Sequence, residues 1–377
     1  MSSEPQRATA ARVAVITQCF GPDLGGIEVL MTSLADALAA SGQAVEVFAD
    51  HIRRPGAAEL ARSYPIRRFG GWRPIRRWAK RRALGAEGDP GFRGVFADSW
   101  KSVAAAPPGV GPIAVLAHGT EFPAAPSAHK ARRIAAALSR ARTVIASSQF
   151  TASRVVPYLT GASTEVVVIN PPPPPLPEPS TAALAEIRKL VAGRRPVVAT
   201  LARLEPRKGV DAVIAALPRL KARHPDLVYL VGGAGDDLER LRHLAAARGV
   251  ADDVVFLGPV TDPQTKAALL THCDVYAMPS RNVGNSVEGF GIAYVEAAWF
   301  GRPSLAGVAG GASDVVRNGE TGLLCDGRDP EAVAQALERL LDDDAARVRM
   351  GAAAAELARA RFSWAHALPR YLAALGL

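Results

Sequence analysis

Cysteine is scarce in this 377-residue chain, and its three copies, Cys19, Cys273 and Cys325, lie far apart. That spacing fits neither a zinc site nor a disulfide framework, so reduced and mostly buried thiols are expected. Long apolar runs are missing as well. No stretch approaches the ~20 residues needed to cross a bilayer. The apolar opening Val13–Thr17 is too short for the core of a signal peptide. A cytoplasmic location is therefore expected. Histidines do not fall at ligand spacing, so His51, His129, His224 and His272 read as structural or surface residues. The run Asp342-Asp343-Asp344 has the look of a metal motif, but it lies far from the other motifs and fits a charged helix end. No metal site is expected. Acidic residues are absent where basic ones crowd. Between Arg62 and Arg82 stand Arg62, Arg67, Arg68, Arg73, Arg76, Arg77, Lys80, Arg81 and Arg82, matching the whole formal charge of +9. Trp72 and Trp78 are interleaved with them. Such a stretch suits an anionic membrane surface or an anionic acceptor. It suits a solvated charged face equally well. No recognition motif accompanies the charge, so nucleic acid is not an expected partner.

What is present is a repeating α/β pattern. Nearly half of the residues are apolar, enough for two ordinary cores. A strand at Arg12–Thr17, a loop with Gly25 and Gly26, a helix from about Ile27 to Ser41 and a strand at Ala44–Ala49 make a βαβ unit, which implies a parallel sheet. Residues 51–110 show no clear periodicity. Strands are expected again at Ile113–Ala117, Thr143–Ala146 and Glu165–Ile169. Pro171 to Pro175 are five consecutive prolines, which form neither helix nor central strand and behave as a stiff spacer. Beyond them strands are expected at Pro196–Leu201, Leu227–Val231, Val254–Leu257, Asp274–Ala277 and Ser304–Ala306, with helices between. The reading is a first Rossmann-like domain at 1–172, a Pro-rich hinge at 173–190, a second Rossmann-like domain at 191–361 and a last helix at 362–377. Two doubly wound sheets facing each other leave a cleft at their strand ends, where ligands bind in such folds.

Two segments carry chemistry. Glu288-Gly289-Phe290-Gly291-Ile292, leading to Glu296, follows a strand and opens a helix. Its glycines let backbone approach a ligand, and the helix N-terminus offers N–H groups to an anion. Carboxylates repel a diphosphate, so hydroxyls are the natural partners of Glu288 and Glu296. A capped helix with a solvated Glu296 would have the same spacing. The second segment is Leu201-Ala-Arg203-Leu-Glu205-Pro-Arg207-Lys208-Gly209. Arg203 and Lys208 there can neutralise a diphosphate, bound or leaving. A basic surface turn would look alike.

Taken together, Arg203 and Lys208 followed some eighty residues later by Glu-x7-Glu resemble glycosyltransferase family 4, of GT-B fold. Gly25-Gly26, His118-Gly119, Val231-Gly-Gly-Ala-Gly-Asp236, Gly310-Gly311-Ala312 and Asn318-Gly-Glu-Thr-Gly-Leu-Leu324 agree with it in order along the whole chain. The resemblance implies retaining transfer of a hexosyl group from a nucleotide diphospho-sugar, without metal or other cofactor. It implies Arg203 and Lys208 on the diphosphate, Glu296 on the ribose and Glu288 on the transferred sugar. Backbone of Gly289, Phe290, Gly291 and Ile292 would contact sugar and phosphate. His118 would lie at the sugar, and Gly25 and Gly26 in a loop closing over the diphosphate. The last segment, from Phe362-Ser-Trp364, would return to the first domain.

The loop Pro279–Val287 is similar to that of bacterial mannosyltransferases using GDP-mannose, including those acting on phosphatidylinositol lipids. GDP-mannose is thus favoured as donor, with UDP-hexoses next. A lipid-linked or envelope-polysaccharide acceptor is expected, with peripheral contact to the inner face of the cytoplasmic membrane through 62–82. Three rivals are an epimerase acting on a UDP-amino sugar, a non-catalytic nucleotide-sugar binder and a two-domain dehydrogenase. The last lacks an acidic residue placed to read an adenine ribose.

Overall fold

A computed structural model describes residues 12–22, 25–51, 62–85, 92–159 and 163–377. Two parallel sheets organise it. The first has the order β3-β2-β1-β4-β5-β6-β7. Its strands are β1 (Arg12–Ile16), β2 (Val45–Asp50), β3 (Ile66–Phe69), β4 (Phe92–Ala97), β5 (Ile113–Ala117), β6 (Thr143–Ala146) and β7 (Glu165–Val168). β1 is central, with Val15 opposite Val47 on one side and Phe96 on the other. Alternation along it feeds two cores. Val13 and Val15 pack with α1 (Gly26–Ala40), whereas Ala14 and Ile16 pack with Leu84 of α2 (Arg73–Gly85) and with Ile134 and Leu138 of α3 (Ala128–Leu138). Helix α4 (Gln149–Val155) follows β6, with Ser148 capping it by accepting from Thr151 N at 3.0 Å.

The stretch 51–110, where the pattern places no element, holds β3, α2 and β4. β4 is hidden by Arg93 and Gly94. At Gly94 the Leu375 side chain packs against the strand backbone, 2.6 Å from where a Cβ would stand, a contact between distant segments.

The second sheet runs β10-β9-β8-β11-β12-β13. Its strands are β8 (Val197–Leu201), β9 (Val228–Gly232), β10 (Val254–Gly258), β11 (Val275–Met278), β12 (Ser304–Gly307) and β13 (Gly322–Cys325). Val198 faces a core shared with α6 (Val210–Lys221), α7 (Leu238–Ala247) and α10 (Pro330–Asp342). Val197, Ala199 and Leu201 face another, built with α8 (Pro263–His272), α9 (Ile292–Trp299) and α11 (Asp344–Arg361).

The segment read as a hinge divides in two. Pro171 to Pro173 are buried, and from Thr181 the chain is helix α5 (Thr181–Val191), started by Ser180. Ile187 and Val191 of α5 are buried in the second domain's core, so 181–190 is a packed helix and only the residues before it lack regular structure. The final helix α12 (Trp364–Leu375) packs on the first sheet. Its Tyr371 ring lies 6.0 Å from that of Phe96, and Arg370 donates to the Val168 carbonyl at 2.7 Å.

Candidate active site

The loop leaving β8 ends in one tight turn, Pro206–Lys208, closed by Gly209 at φ +75°. A Cβ on Gly209 would sit 2.2 Å from the Pro279 carbonyl, so this turn is pressed against the end of β11. That packing buries Lys208, and its ammonium donates to Glu288 Oε2. Arg207 reaches the same oxygen at 2.8 Å and also donates to Glu205 at 2.9 Å. Burial works to raise the Glu288 carboxyl. The Lys208 and Arg207 cations overcome it and hold that carboxyl below its ordinary range. Arg203 behaves differently from Lys208: its side chain is 60% exposed and pairs with Glu205 at 3.3 Å. The structure thus joins Lys208 to Glu288 and leaves Arg203 at the rim.

The Glu288–Ile292 segment is held from beneath by two further glycines. Gly310 and Gly311 carry no Cβ where one would lie 2.1 Å from the carbonyls of Glu288 and Gly289 respectively. Gly311 N donates to the Glu288 carbonyl at 2.9 Å. Gly291 takes φ +90° and starts α9 at Ile292, so the first N–H groups of that helix lie at this loop. Phe290 turns its ring inward against Phe362, 5.8 Å away, and so offers the site only its backbone. Glu296 lies one turn into α9, buried, with Lys266 of α8 donating to it at 2.8 Å.

The first domain meets this loop directly. A Cβ on Gly289 would come 1.8 Å from the His118 carbonyl. Ser148 Oγ donates to the Gly289 carbonyl at 2.5 Å, and Thr151 Oγ1 does so at 3.3 Å. Asp314 of the second domain accepts from Gln149 N at 3.0 Å and from Asn170 Nδ2 at 2.9 Å. The two halves therefore touch at the glycine loop. His118, at the end of β5, places Nε2 2.8 Å from the Asp98 carbonyl. The Asp98 carboxylate accepts from Thr17, Gln18 N and Ser102 at the end of β1 and after β4. Gly25 caps α1 in extended conformation and Gly26 opens it. Among the described residues the hydrogen bonds across the cleft run through Ser148, Gln149, Thr151 and Asn170, not through that pair of glycines.

Arg207 and Lys266 are the residues that sequence reasoning did not single out. Arg207 was visible only as a neighbour of Lys208, and Lys266 carries no local signal that it faces Glu296. Among the described residues no group of three or more His, Cys, Asp or Glu is placed to hold a metal ion. The Asp342–Asp344 carboxylates are engaged elsewhere. Asp342 pairs with Arg223 and His224, Asp343 caps α11, and Asp344 pairs with Arg347.

Comparison with known proteins decides the family. Residues 24–172 match the family described as Glycosyltransferase Family 4, and residues 185–357 match Glycosyl transferases group 1. The GDP-mannose-dependent alpha-(1-6)-phosphatidylinositol monomannoside mannosyltransferase of Mycobacterium tuberculosis (strain ATCC 25618 / H37Rv) is 34% identical over 375 residues, 94% of this chain and 95% of that protein. The chain belongs to glycosyltransferase family 4. As a glycosyltransferase it is also 42% identical over 175 residues to the D-inositol 3-phosphate glycosyltransferase of Corynebacterium glutamicum (strain R), covering 45% of this chain and 40% of that one. Its GT-B fold is shared with Anabaena HepE in complex with UDP and glucose, at a TM-score of 0.77 and 21% identity, over 97% of this chain and 99% of that one.

Proposed function

We propose that this glycosyltransferase moves mannose from GDP-mannose, with retention of configuration and without a metal, to a lipid-linked acceptor at an anionic membrane surface. The observation that carries the reading is the Lys208–Glu288–Arg207 cluster at the glycine loop and the start of α9, with Lys208 buried and the other two half-buried. A nucleotide diphospho-sugar suits that place. Lys208, with Arg203 turning in from the rim, would neutralise the diphosphate as charge builds on the leaving group. Glu288 would accept from sugar hydroxyls, backbone of Gly289 to Ile292 would meet sugar and phosphate, and Glu296 would accept from the ribose. His118, whose ring lies on the Asp98 carbonyl and whose own carbonyl meets the same loop, would lie at the transferred sugar. A phosphate oxygen of the leaving group would take the acceptor's proton on the face where the new bond forms. Gly25 and Gly26 would close over the donor with their loop.

The choice of GDP-mannose is supported by the mycobacterial relative named for that donor. Membrane contact is supported by α2. Trp72, just before it, is 73% exposed, and Ile75 and Trp78 are 56% and 60% exposed on its outer side. Arg82 stacks over Trp78 at 5.6 Å. The inner side is anchored: buried Lys80 bonds Asp50 and the Thr17 carbonyl, both at 2.6 Å, and Arg76 bonds Asp50 at 2.8 Å. A helix fixed by one face and apolar and cationic on the other suits an anionic interface. No described helix is long and apolar enough to cross a membrane.

Radiolabelled GDP-mannose, incubated without metal with phosphatidylinositol-type lipids in anionic vesicles, tests the reading. A lipid-extractable mannoside in the α configuration is expected. Transfer only from UDP-hexoses, an inverted product, or epimerised free sugar nucleotide would each overturn the corresponding part.

A further inference from the structure

Glu288 has two cations on one oxygen, and they are held in different ways. Lys208 has a single ammonium on a flexible stem. If it serves the donor diphosphate, its hold on Glu288 weakens when donor binds. Arg207 is fixed at both ends. Its Nε donates to Glu205 at 2.9 Å, and its carbonyl accepts from Arg281 N at 2.8 Å. Arg281 is itself clamped on Asp211 by two bonds of 2.8 and 2.7 Å. We propose that Arg207, oriented by Glu205, is a positioning residue that keeps Glu288 charged and aimed at the transferred sugar while Lys208 turns to the donor. The proposal rests on the donor-site reading above.

The groups facing Glu288 set what its loss would do. The loop after β8 brings Glu205, Arg207 and Lys208, β11 brings Tyr276, and α9 brings Tyr294. Burial pushes both phenols up, so they stay neutral and supply no counter-charge. In the free protein both cations oppose the effect of burial on Glu288. With Lys208 on the diphosphate, Arg207 alone opposes it. Without Arg207, Glu288 takes a proton in the donor complex and loses an acceptor lone pair that the sugar needs. A guanidinium fits the task because its fork spans Glu205 and Glu288 together, which an ammonium cannot do with the same geometry.

The test is the pH dependence of transfer in Arg207→Met, Arg207→Lys, Glu205→Gln and Glu288→Gln, with Tm and donor-induced thermal shift as controls. At neutral pH Arg207→Met should lower kcat about 10²-fold, with KM changed less than about threefold. The acid limb of its kcat profile should move toward neutral pH, because ionised Glu288 is then harder to form. The limb of kcat/KM should move less, since Lys208 still faces Glu288 in the free enzyme. Arg207→Lys should restore part of the rate and return the limb. Glu205→Gln should shift it in the same direction by less, and decides the matter if Arg207→Met does not fold. A wild-type kcat in Arg207→Met, or a loss with the acid limb unmoved, overturns the proposal. If Glu288→Gln is inactive while Arg207→Met equals wild type, Arg207 alone is misassigned. Full activity of Glu288→Gln sinks the donor-site reading itself.

Discussion

Lys208→Ala removes the ammonium and leaves Glu288, its side chain 12% exposed, with Arg207 as its cation among the described residues. Stranding a buried charge with no partner costs ~3–5 kcal/mol. Arg207 stays in place, so the loss is closer to that of one charge-assisted hydrogen bond, ~1.5–3 kcal/mol. In a domain of this size ~1 kcal/mol is worth ~2–4 °C, so Tm should fall by about 3–12 °C at neutral pH. The pH dependence separates charge from packing. The folded-state Glu288 carboxyl is held below its ordinary range. Its pairing therefore stabilises fully above the ordinary glutamate value of about 4.3 and is lost as pH falls through the lowered folded value. The gap in Tm between wild type and Lys208→Ala should be full at pH 7 and shrink below about pH 4. Melting curves followed by circular dichroism from neutral to acid pH measure it. A gap that is absent at pH 7, or that persists unchanged into acid, would refute the argument; the second result would assign the loss to the lysine stem.

Other expectations follow from single contacts. Gly289→Ala puts a Cβ where the His118 carbonyl stands, so the halves cannot meet as they do; kcat should fall at least about tenfold while nucleotide binding to the second domain persists, by calorimetry. Asp314→Ala removes two hydrogen bonds across the cleft; scattering should show a more open average shape, with Tm lowered by about 2–12 °C. Trp72→Ala with Trp78→Ala touches exposed side chains only; sedimentation with anionic vesicles should drop, and Tm should stay within about 2 °C. Tyr371→Ala empties a buried site between α12 and the first sheet; it should cost ~3–5 kcal/mol, read as a lowered melting temperature.

The GT-B fold is legible in the sequence because strands buried on both faces are continuous apolar runs ending in glycine loops. Val13–Ile16 shows this plainly, and so does Val197–Leu201, in which Thr200 is the one polar residue. β4 and α2 are not legible, for reasons that lie in the tertiary structure. Gly94 makes room for Leu375, some 280 residues later, and Lys80 is a buried lysine satisfied by Asp50. Lysine on a helix ordinarily marks the solvent side, so a pattern cannot show that α2 hides it. The proline run has no helix or strand, as its composition dictates, but composition does not show that Pro171 to Pro173 pack inside or that a helix capped by Ser180 starts within 173–190. At the site, Lys208 and Glu288 are named from motif spacing, and the fold places them together. The part played by Arg207 depends on which oxygen its fork reaches, and that of Lys266 on how α8 packs against α9. Neither follows from local sequence.

Thermal shift with GDP-mannose, GDP, UDP-glucose, UDP and NAD, without metal, on wild type and Lys208→Ala bears most directly on the donor site. At a hundredfold excess over Kd, a ligand adds ~2.7 kcal/mol, or roughly 5–10 °C. Such a rise is expected with GDP-mannose for the wild type and should be lost in Lys208→Ala. No rise with any sugar nucleotide, or a rise with NAD alone, would contradict it.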